Sequence, residues 1–418
     1  MNLLLGIFLA FGVLGAFPRP SAAAVFNFSA RRIEKAEKLM SRGKFEEASG
    51  LAGKLIAKDP KNIEAYTVKI RALMAMNQFL AAHETYDLML LSSQVDDPEA
   101  LNALAWGVIK EAVIDKSFFV RGSAASALGE VGDTRALYPL EHLLRDEYDS
   151  VTVRALEAMG RIRDPKAVPI LKNYVNDKSY LVRSAAIESL ANLGDSSGLP
   201  ALYRDLDDES WNVRARAAEV LGRVKDRGAV PKLREKLRDK QSYVRVRVAE
   251  ALASLGDAGV LPIFEQTVLQ GEWADRVRSA GSLMELGGKE EALRVLQDAM
   301  KNADWRIRAQ ACKVMAGSGE RRVLSILERY ANDERWEVRF AVAQALVDQG
   351  DRTAVGQLVE LMNADDADVR GNAAGALGAV GGPEDLAHLR NALKDIDGRV
   401  QVQAAKSIIQ IRRNIKEQ

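Results

Sequence analysis

The side chains that could do chemistry include three histidines and one cysteine, and they form no catalytic pattern. His83, His142 and His388 lie far apart in the chain, so a metal site built from them would require distant segments to meet. The sequence has no nucleotide-binding loop, no nucleophile motif and no paired-carboxylate pattern. We therefore predict no catalytic residue, no metal ligand and no cofactor. Cys312 is the only cysteine, which excludes an intramolecular disulfide, and we expect it to be a buried structural thiol.

Arginine, glutamate and aromatic side chains recur at fixed positions in a segment that is repeated along the chain. If Arg214 is position zero of its copy, several copies have arginine at +2, glutamate at +5 and an aromatic residue at −3. The arginines are Arg154, Arg216, Arg247 and Arg278, the glutamates are Glu157, Glu188, Glu219 and Glu250, and the aromatic residues are Phe118, Tyr180, Trp211, Trp273, Trp305 and Trp336. Arginine, tryptophan and tyrosine are the side chains that most often anchor protein interfaces.

Two interpretations of these rows stay open at the level of the sequence. In the first, exposed side chains bind a protein or peptide partner, and the candidates are Arg216, Arg247, Arg278, Arg154, Tyr180, Trp211 and Trp273. In the second, Arg216–Glu219 and Arg247–Glu250 are only surface pairs three residues apart, worth about 0.2–0.5 kcal/mol each. The aromatic residues would then cover the turn between two helices.

The rows are positioned by a repeat of almost constant length. Position zero falls at Arg121, Thr152, Arg183, Arg214, Arg245, Arg276, Arg308, Arg339, Arg370 and Gln401, with intervals of 31 residues and one of 32. Within a copy, small and apolar residues such as Ala217, Ala218 and Leu221 follow helical spacing. A fixed period in this range is typical of a solenoid of stacked helical pairs.

The arginine at position zero stands near the start of its helix, where the helix macrodipole disfavours a cation. In seven of the ten copies an aspartate lies six residues earlier, and its carboxylate can offset that cost. We interpret these residues as a ladder of Asp–Arg pairs that joins each repeat to itself and to its neighbour. Its central members are Asp177, Arg183, Asp208, Arg214, Asp239 and Arg245.

The repeated unit resembles a known repeat type. The pattern D-x5-R followed by AAxALGxxGD, over residues 98–415, resembles the short HEAT-like repeat of phycobilin lyases. Residues 29–96 contain two G-x-F-x-x-A-like hairpins spaced by 34 residues and resemble the tetratricopeptide repeat. The resemblance implies an all-α, right-handed α-solenoid with two tetratricopeptide-like hairpins and ten HEAT-like repeats. We expect the hairpins at residues 25–97 to cap a HEAT-like array at 98–418, whose last helix forms a polar C-terminal cap.

The N-terminus has the features of an export signal. Residues 3–17 form an apolar run of 15 residues, which is short for a membrane span of about 20 residues. Ala22-Ala23-Ala24 then fits a signal-peptidase site. We predict a signal peptide at residues 1–24, a mature protein that begins at Val25, a periplasmic or secreted location and no stable membrane span after cleavage. Because no lysine or arginine precedes the run, an N-terminal membrane anchor is the alternative.

The charge balance and the repeat together lead to a functional hypothesis. With 59 Lys and Arg against 58 Asp and Glu, the net charge is +1, so sequence-independent nucleic-acid binding is not indicated. We predict an exported, non-enzymatic scaffold that holds a protein or peptide partner on the concave face of the solenoid. The alternative is a HEAT-repeat enzyme similar to bilin lyases or to deoxyhypusine hydroxylase. Bound colour or iron in the purified protein distinguishes the two. Of the His-Glu pairs through which that hydroxylase holds iron, only His83-Glu84 has a counterpart.

Overall fold

The computed structural model describes residues 22–318, 322–348 and 354–417, and within these ranges the regular structure is entirely helical. The predicted all-α class is therefore confirmed. The apolar run at residues 3–17 lies outside the described residues. The chain divides into two compact bodies, Met1–Leu104 and Ala105–Gln418, which we call the N-terminal body and the C-terminal body.

The N-terminal body consists of helical hairpins. Its helices are α1 (Ala22–Ser41), α2 (Phe45–Lys58), α3 (Ile63–Ala75), α4 (Phe79–Ser93) and the first half of α5 (Pro98–Ala112). Helix α1 packs on α2, α2 on α3, and α3 on α4. Ala48 and Ala82, which occupy the same place in the two hairpins, are fully buried. The turn before α2 is made by Gly43, whose φ of 73° favours glycine.

The C-terminal body continues with alternating helices. They are α6 (Phe118–Val131), α7 (Leu137–Leu143), α8 (Asp149–Ile162), α9 (Val168–Lys172), α10 (Tyr180–Asn192), α11 (Leu199–Asp205), α12 (Trp211–Arg223), α13 (Val230–Lys236), α14 (Ser242–Ser254), α15 (Leu261–Gln270), α16 (Trp273–Glu285), α17 (Lys289–Ala299), α18 (Trp305–Gly317), α19 (Arg322–Leu327), α20 (Trp336–Asp348), α21 (Ala354–Leu361), α22 (Ala367–Val380), α23 (Leu386–Ala392) and α24 (Gly398–Glu417). From α6 onward, every even-numbered helix carries a position zero. We number the repeats 1 to 10 accordingly.

The even-numbered helices of successive repeats pack directly on one another, whereas each odd-numbered helix packs mainly on its even-numbered neighbours in the chain. Small residues permit the close approach. A Cβ atom added to Gly222 would lie 2.7 Å from Cα of Ala251 in the next repeat. Gly129 and Gly160 meet the following helix in the same way. The even-numbered helices therefore form the tighter layer of the C-terminal body.

The two ends of this layer meet. Helix α24 packs on α22 and also on α6 of repeat 1. Lys406 on α24 donates a hydrogen bond of 2.8 Å to Glu130 at the end of α6, and Arg413 donates to the carbonyl oxygen of Val131. The array of the C-terminal body is thus closed into a ring, with the even-numbered helices on its inner side. We call the α24–α6 contact the seam.

Closure corrects the prediction that the last helix is a polar cap. Lys406 is only 6% exposed because α6 covers the face of α24 on which it lies. The physical reason is the constant repeat length: ten nearly equal repeats turn in the same sense until the last one reaches the first. No helix among the described residues combines the length and the apolar character that a membrane crossing requires.

Candidate functional site

The arginines at position zero join neighbouring repeats, and Arg214 shows how. Arg214 is 5% exposed, and its Nη1 donates to the carbonyl oxygens of Asp208 and Glu209, both at 2.9 Å. Its Nε and Nη2 donate to the two carboxylate oxygens of Asp239 in the next repeat, at 2.7 and 2.9 Å. One guanidinium therefore fixes the loop of its own repeat and binds the next repeat through a bidentate ion pair.

This geometry corrects the pairing expected within one repeat. Asp208 offers Arg214 its backbone carbonyl, while its carboxylate accepts the backbone N–H of Ser210 at 2.8 Å. The carboxylate partner of Arg214 is Asp239, 25 residues later. The aspartate of each such repeat thus has two roles. Its carboxylate stabilises the turn that precedes the helix of its own repeat, and it also binds the arginine of the preceding repeat.

The same pairing recurs around the ring, with variations. Bidentate pairs also form between Arg121 and Asp146, Arg308 and Asp333, and Arg370 and Asp395. Arg183 donates to the backbone carbonyl of Asp177 and to the carboxylate of Asp205. Arg245 donates to the backbone carbonyls of Asp239 and Lys240.

Two carboxylates of the ladder, Asp239 and Asp395, have lowered pKa values. The Arg214 guanidinium holds the pKa of Asp239 below its ordinary value, and Arg370 does the same for the pKa of Asp395. In both cases the hydrogen-bonded guanidinium outweighs the opposing effect of burial. These residues hold the repeats together.

The arginines at +2 lie in a network of alternating charges, which we call the Arg–Glu network. Arg216 Nη1 lies 3.4 Å from Glu219 Oε1, and Nη2 lies 3.7 Å from Glu188 Oε2 of the preceding repeat. Arg247 donates to Glu250 at 2.8 Å and to the hydroxyl of Tyr243.

Arg278 continues this network into the next repeat. Its Nε lies 3.7 Å from Glu250 Oε1 and its Nη1 lies 3.6 Å from Asp275 Oδ1. The side chains of Arg216, Arg247 and Arg278 are only 18%, 20% and 25% exposed. The expectation of an exposed row of cations is therefore corrected, because close packing of the even-numbered helices brings carboxylates against each arginine.

Two glutamates of this network, Glu188 and Glu250, have raised pKa values. Burial raises the pKa of Glu188 and of Glu250, although neighbouring arginines act in the opposite direction. Within the described structure, Glu188 Oε2 and Glu250 Oε1 accept no hydrogen bond. Arg223 Nη2 lies 2.8 Å from Glu188 Oε2 but is not aligned to donate. Both oxygens are shielded from solvent, so each glutamate has one buried acceptor without a hydrogen-bond partner in the described structure.

The aromatic side chains at −3 differ in their exposure and in their contacts. Trp211 is 42% exposed and meets Tyr243 of the next repeat edge to face, with ring centroids 5.3 Å apart. Trp273 packs partly on the core, and the guanidinium carbon of Arg276 lies 4.0 Å from its ring centroid. Tyr180 is partly buried. Tyr243 was missed by the sequence reasoning because it stands at −2, one place out of register with the row.

A second concentration of polar and aromatic groups lies at the seam. A cavity of about 370 Å³ is lined by residues of α6, α8, α22 and α24, and we call it the seam pocket. Its lining includes Phe118, Phe119, Arg154, Asp368, Arg399 and Gln403. Arg154 is exposed and donates to Ser126 at 3.2 Å. The repeat pattern gave no signal for this pocket, because only ring closure brings the two ends together.

Neither a histidine nor the cysteine lines the seam pocket. Among the described residues, no group of three or more His, Cys, Asp or Glu side chains is arranged to hold a metal ion. Cys312 is fully buried, as expected, with its Sγ 3.6 Å from Sδ of Met300. Burial raises the pKa of this thiol to about 12.

Models of known families match most of the repeat region. The HEAT-repeat model matches residues 142–206, 199–285, 272–346 and 328–409. The chain belongs to the HEAT-repeat family. The model of the PBS lyase HEAT-like repeat matches residues 120–146, and a tetratricopeptide-repeat model matches residues 39–107. Both predicted resemblances are confirmed.

Solved structures with this architecture are only distantly similar to the HEAT-repeat protein. The complex of CpcE and CpcF of phycocyanin lyase from Nostoc sp. PCC7120 is 18% identical and covers 58% of this chain and 94% of that chain, with a TM-score of 0.39. Human deoxyhypusine hydroxylase is 22% identical and covers 75% of this chain and 99% of that chain, with a TM-score of 0.29. Kap121p bound to Nup53p is 16% identical and covers 90% of this chain and 48% of that chain, with a TM-score of 0.34. These matches concern the helical-repeat fold alone. A search of curated protein sequences gives no significant match.

Proposed function

We propose that this HEAT-repeat protein is a non-enzymatic scaffold that holds a segment of a protein partner on the inner face of its ring. The observation that carries the proposal is the exposed Trp211, braced by Tyr243 beside the Arg–Glu network. A large aromatic surface next to fixed polar groups is typical of the residues that dominate interface energies.

The network favours an extended polypeptide as the occupant. Glu219, whose side chain is 31% exposed, can accept hydrogen bonds from backbone N–H groups of a bound segment. Because Arg216 Nη1 lies 3.4 Å from Glu219 Oε1 and holds this glutamate in place, little side-chain entropy is lost on binding. Trp211 and Tyr243 are then the anchors. The other candidates, Arg216, Arg247, Arg278, Tyr180 and Trp273, shape and orient the surface.

We also propose that the scaffold works outside the cytoplasm. The support is the sequence of residues 1–24, an apolar run followed by Ala22-Ala23-Ala24.

Site-specific photo-crosslinking in the native host tests the scaffold proposal. A photoreactive residue replaces Trp211 on the inner face, and the matched control replaces Tyr138, which is 85% exposed on α7 of the outer layer. We expect a polypeptide of defined mass to be crosslinked from position 211 and not from position 138. Adding Tyr243→Ala should reduce that product. Equal products from both positions, or none from position 211, would contradict the proposal.

A further inference from the structure

The seam pocket contains the inner-face arginine that lacks an acidic partner. Arg216, Arg247 and Arg278 each lie within 4 Å of a carboxylate. Arg154, at the equivalent position of repeat 2, forms no ion pair with any described residue, and its one hydrogen bond is to the hydroxyl of Ser126. Its side chain passes beside Gly122, where an added Cβ would lie 3.2 Å from Cδ of Arg154.

Arg399 and Asp368, the other charged side chains that line the seam pocket, pair with each other. Arg399 donates from Nη2 to Asp397 at 2.7 Å and from Nη1 to Asp368. Arg399 thus has two carboxylate partners, of which Asp397 lies outside the lining of the pocket and Asp368 is 58% exposed. The unpaired guanidinium that faces the cavity is that of Arg154. A guanidinium presents parallel N–H groups whose spacing matches the two oxygens of a carboxylate.

An aromatic surface stands beside this cation. Phe118 stacks on Tyr148 with ring centroids 4.4 Å apart, and Phe119 leans on Phe118 with centroids 4.0 Å apart. Arg399 lies 6.0 Å from the centroid of Phe119, which is nevertheless 59% exposed. The stacked rings hold the exposed part of Phe119 in a fixed orientation, so it offers a preorganised apolar contact.

We propose that the seam pocket binds a carboxylate carried next to an apolar or aromatic group. Arg154 receives the carboxylate and Phe119 contacts the apolar group, while Ser123 and Gln403 supply neutral hydrogen-bonding groups. A small free acid and the C-terminal residue of a polypeptide share this chemistry. The inference concerns a site other than the Trp211–Tyr243 surface and does not depend on the proposed scaffold function.

Binding at this pocket is coupled to closure of the ring. The walls come from α6 and α8 on one side of the seam and from α22 and α24 on the other. A ligand that contacts Arg154 and Gln403 together binds the closed ring more tightly than an open one. It must therefore shift the population toward closure.

Calorimetric titration of the full chain tests the site with N-acetyl-phenylalanine and its uncharged amide. We expect the acid to bind at least tenfold more tightly than the amide, because only the acid forms a charge-assisted pair with Arg154. Arg154→Gln should weaken binding of the acid by about ten- to a hundredfold. The matched control is Arg306→Gln, an exposed arginine of repeat 7 that should leave the affinity unchanged.

Two further arms identify the ligand source and guard against misfolding. A peptide that ends in phenylalanine is compared with its C-terminally amidated form, and tighter binding than the free acid assigns the site to a polypeptide terminus. Equal binding assigns it to a small acid. Ser123→Phe, which fills the cavity without removing a charge, should also abolish binding.

Hydrogen exchange of α6 and α24 should slow in the presence of N-acetyl-phenylalanine or of the peptide that ends in phenylalanine. In Arg154→Gln, neither ligand should change the exchange rates. The site is disproved if acid and amide bind alike, if the Arg154 variant binds like wild type, or if neither probe binds at millimolar concentration. Crosslinking from position 211 is unaffected by any of these outcomes, so the two proposals fail separately.

Discussion

A single arginine at position zero performs two structural tasks. The Nη1 edge of Arg214 closes the loop of its own repeat, and the Nε–Nη2 edge holds Asp239 of the next repeat. Lysine has a compact ammonium group and no comparable fork, so it cannot reproduce both sets of bonds.

We expect Arg214→Ala to destabilise the junction between repeats 4 and 5. The change leaves Asp239 with a nearly buried, unpaired carboxylate, and such losses cost up to about 3–5 kcal/mol. Because contacts in a repeat protein are local, hydrogen exchange should accelerate mainly in α12 and α14. Arg234→Ala is the control, since Arg234 is 62% exposed in its pair with Asp257. Exchange that accelerates evenly over all repeats would contradict a local ladder.

The ladder also predicts how stability changes in acid. The pKa values of Asp146, Asp239 and Asp395 are lowered by folding from the ordinary value of 3.8. Their contribution is therefore complete above pH 3.8 and is lost as the pH falls through the lowered values. The raised pKa values of Glu188 and Glu250 act in the opposite sense, so their contribution is complete below 4.5 and declines as the pH rises through the raised values.

Thermal melting between pH 2 and pH 7 measures this balance. We expect the melting temperature to drop steeply below about pH 3.8. In Asp239→Asn that acid-dependent drop should be smaller, since one titrating partner has been removed. An unchanged slope in the variant would show that this pair does not carry the acid sensitivity.

At the scale of the element, the spacing of the even-numbered helices is set by glycines that contact the next helix. Gly222→Ala should destabilise the protein by about 1–3 kcal/mol, because its Cβ would meet the backbone of Ala251 at 2.7 Å. Gly317→Ala in α18 is the matched change, since nothing lies within 4 Å of its Cβ position. It should stabilise by up to about 0.5–1 kcal/mol. Chemical denaturation of the two variants should give shifts of opposite sign.

The sequence predicts the helices well and the contacts between them less well. Ala217, Ala218 and Leu221 point to one buried helical face, and all three are buried. The ladder partner is harder to predict, because Asp208 and Asp239 both stand at a constant distance from Arg214 in the chain. Only the stacking of the repeats decides between them.

The seam pocket could not be predicted from one repeat. It depends on the small rotation between neighbouring repeats, summed over the whole array. No residue pattern within a repeat reports that sum, so Arg154 and Arg399 gave no sign of meeting at one cavity.

At the scale of the C-terminal body, closure depends on a contact between residues 276 positions apart. Lys406 lies 2.8 Å from Glu130 at the seam. We expect Lys406→Glu to open the seam, because a carboxylate would then replace a nearly buried ammonium group and face Glu130, whose side chain is 37% exposed. Hydrogen exchange in α6 and α24 should accelerate, and Glu130→Lys should restore protection in the double variant. If the double variant is no better protected than Lys406→Glu, this pair does not control closure.

At the scale of the whole chain, export is tested by intact mass. We expect protein isolated from the native host to begin at Val25, since the apolar run and Ala22-Ala23-Ala24 together form a signal for cleavage. Ala24→Pro should block cleavage and keep the precursor in the membrane fraction. A full-length wild-type species in the cytoplasm would overturn the prediction.

Closure of the C-terminal body changes its mechanics. An open stack of helices can extend locally, since the angle at one junction between repeats can change while the other junctions keep theirs. A hoop behaves differently: to widen it, all ten junctions must rotate together or one of them must break. With α24 locked against α6 by Lys406 and Glu130, a pull on any repeat is shared around the circumference. The circumference of the ring is therefore fixed by its ten junctions together.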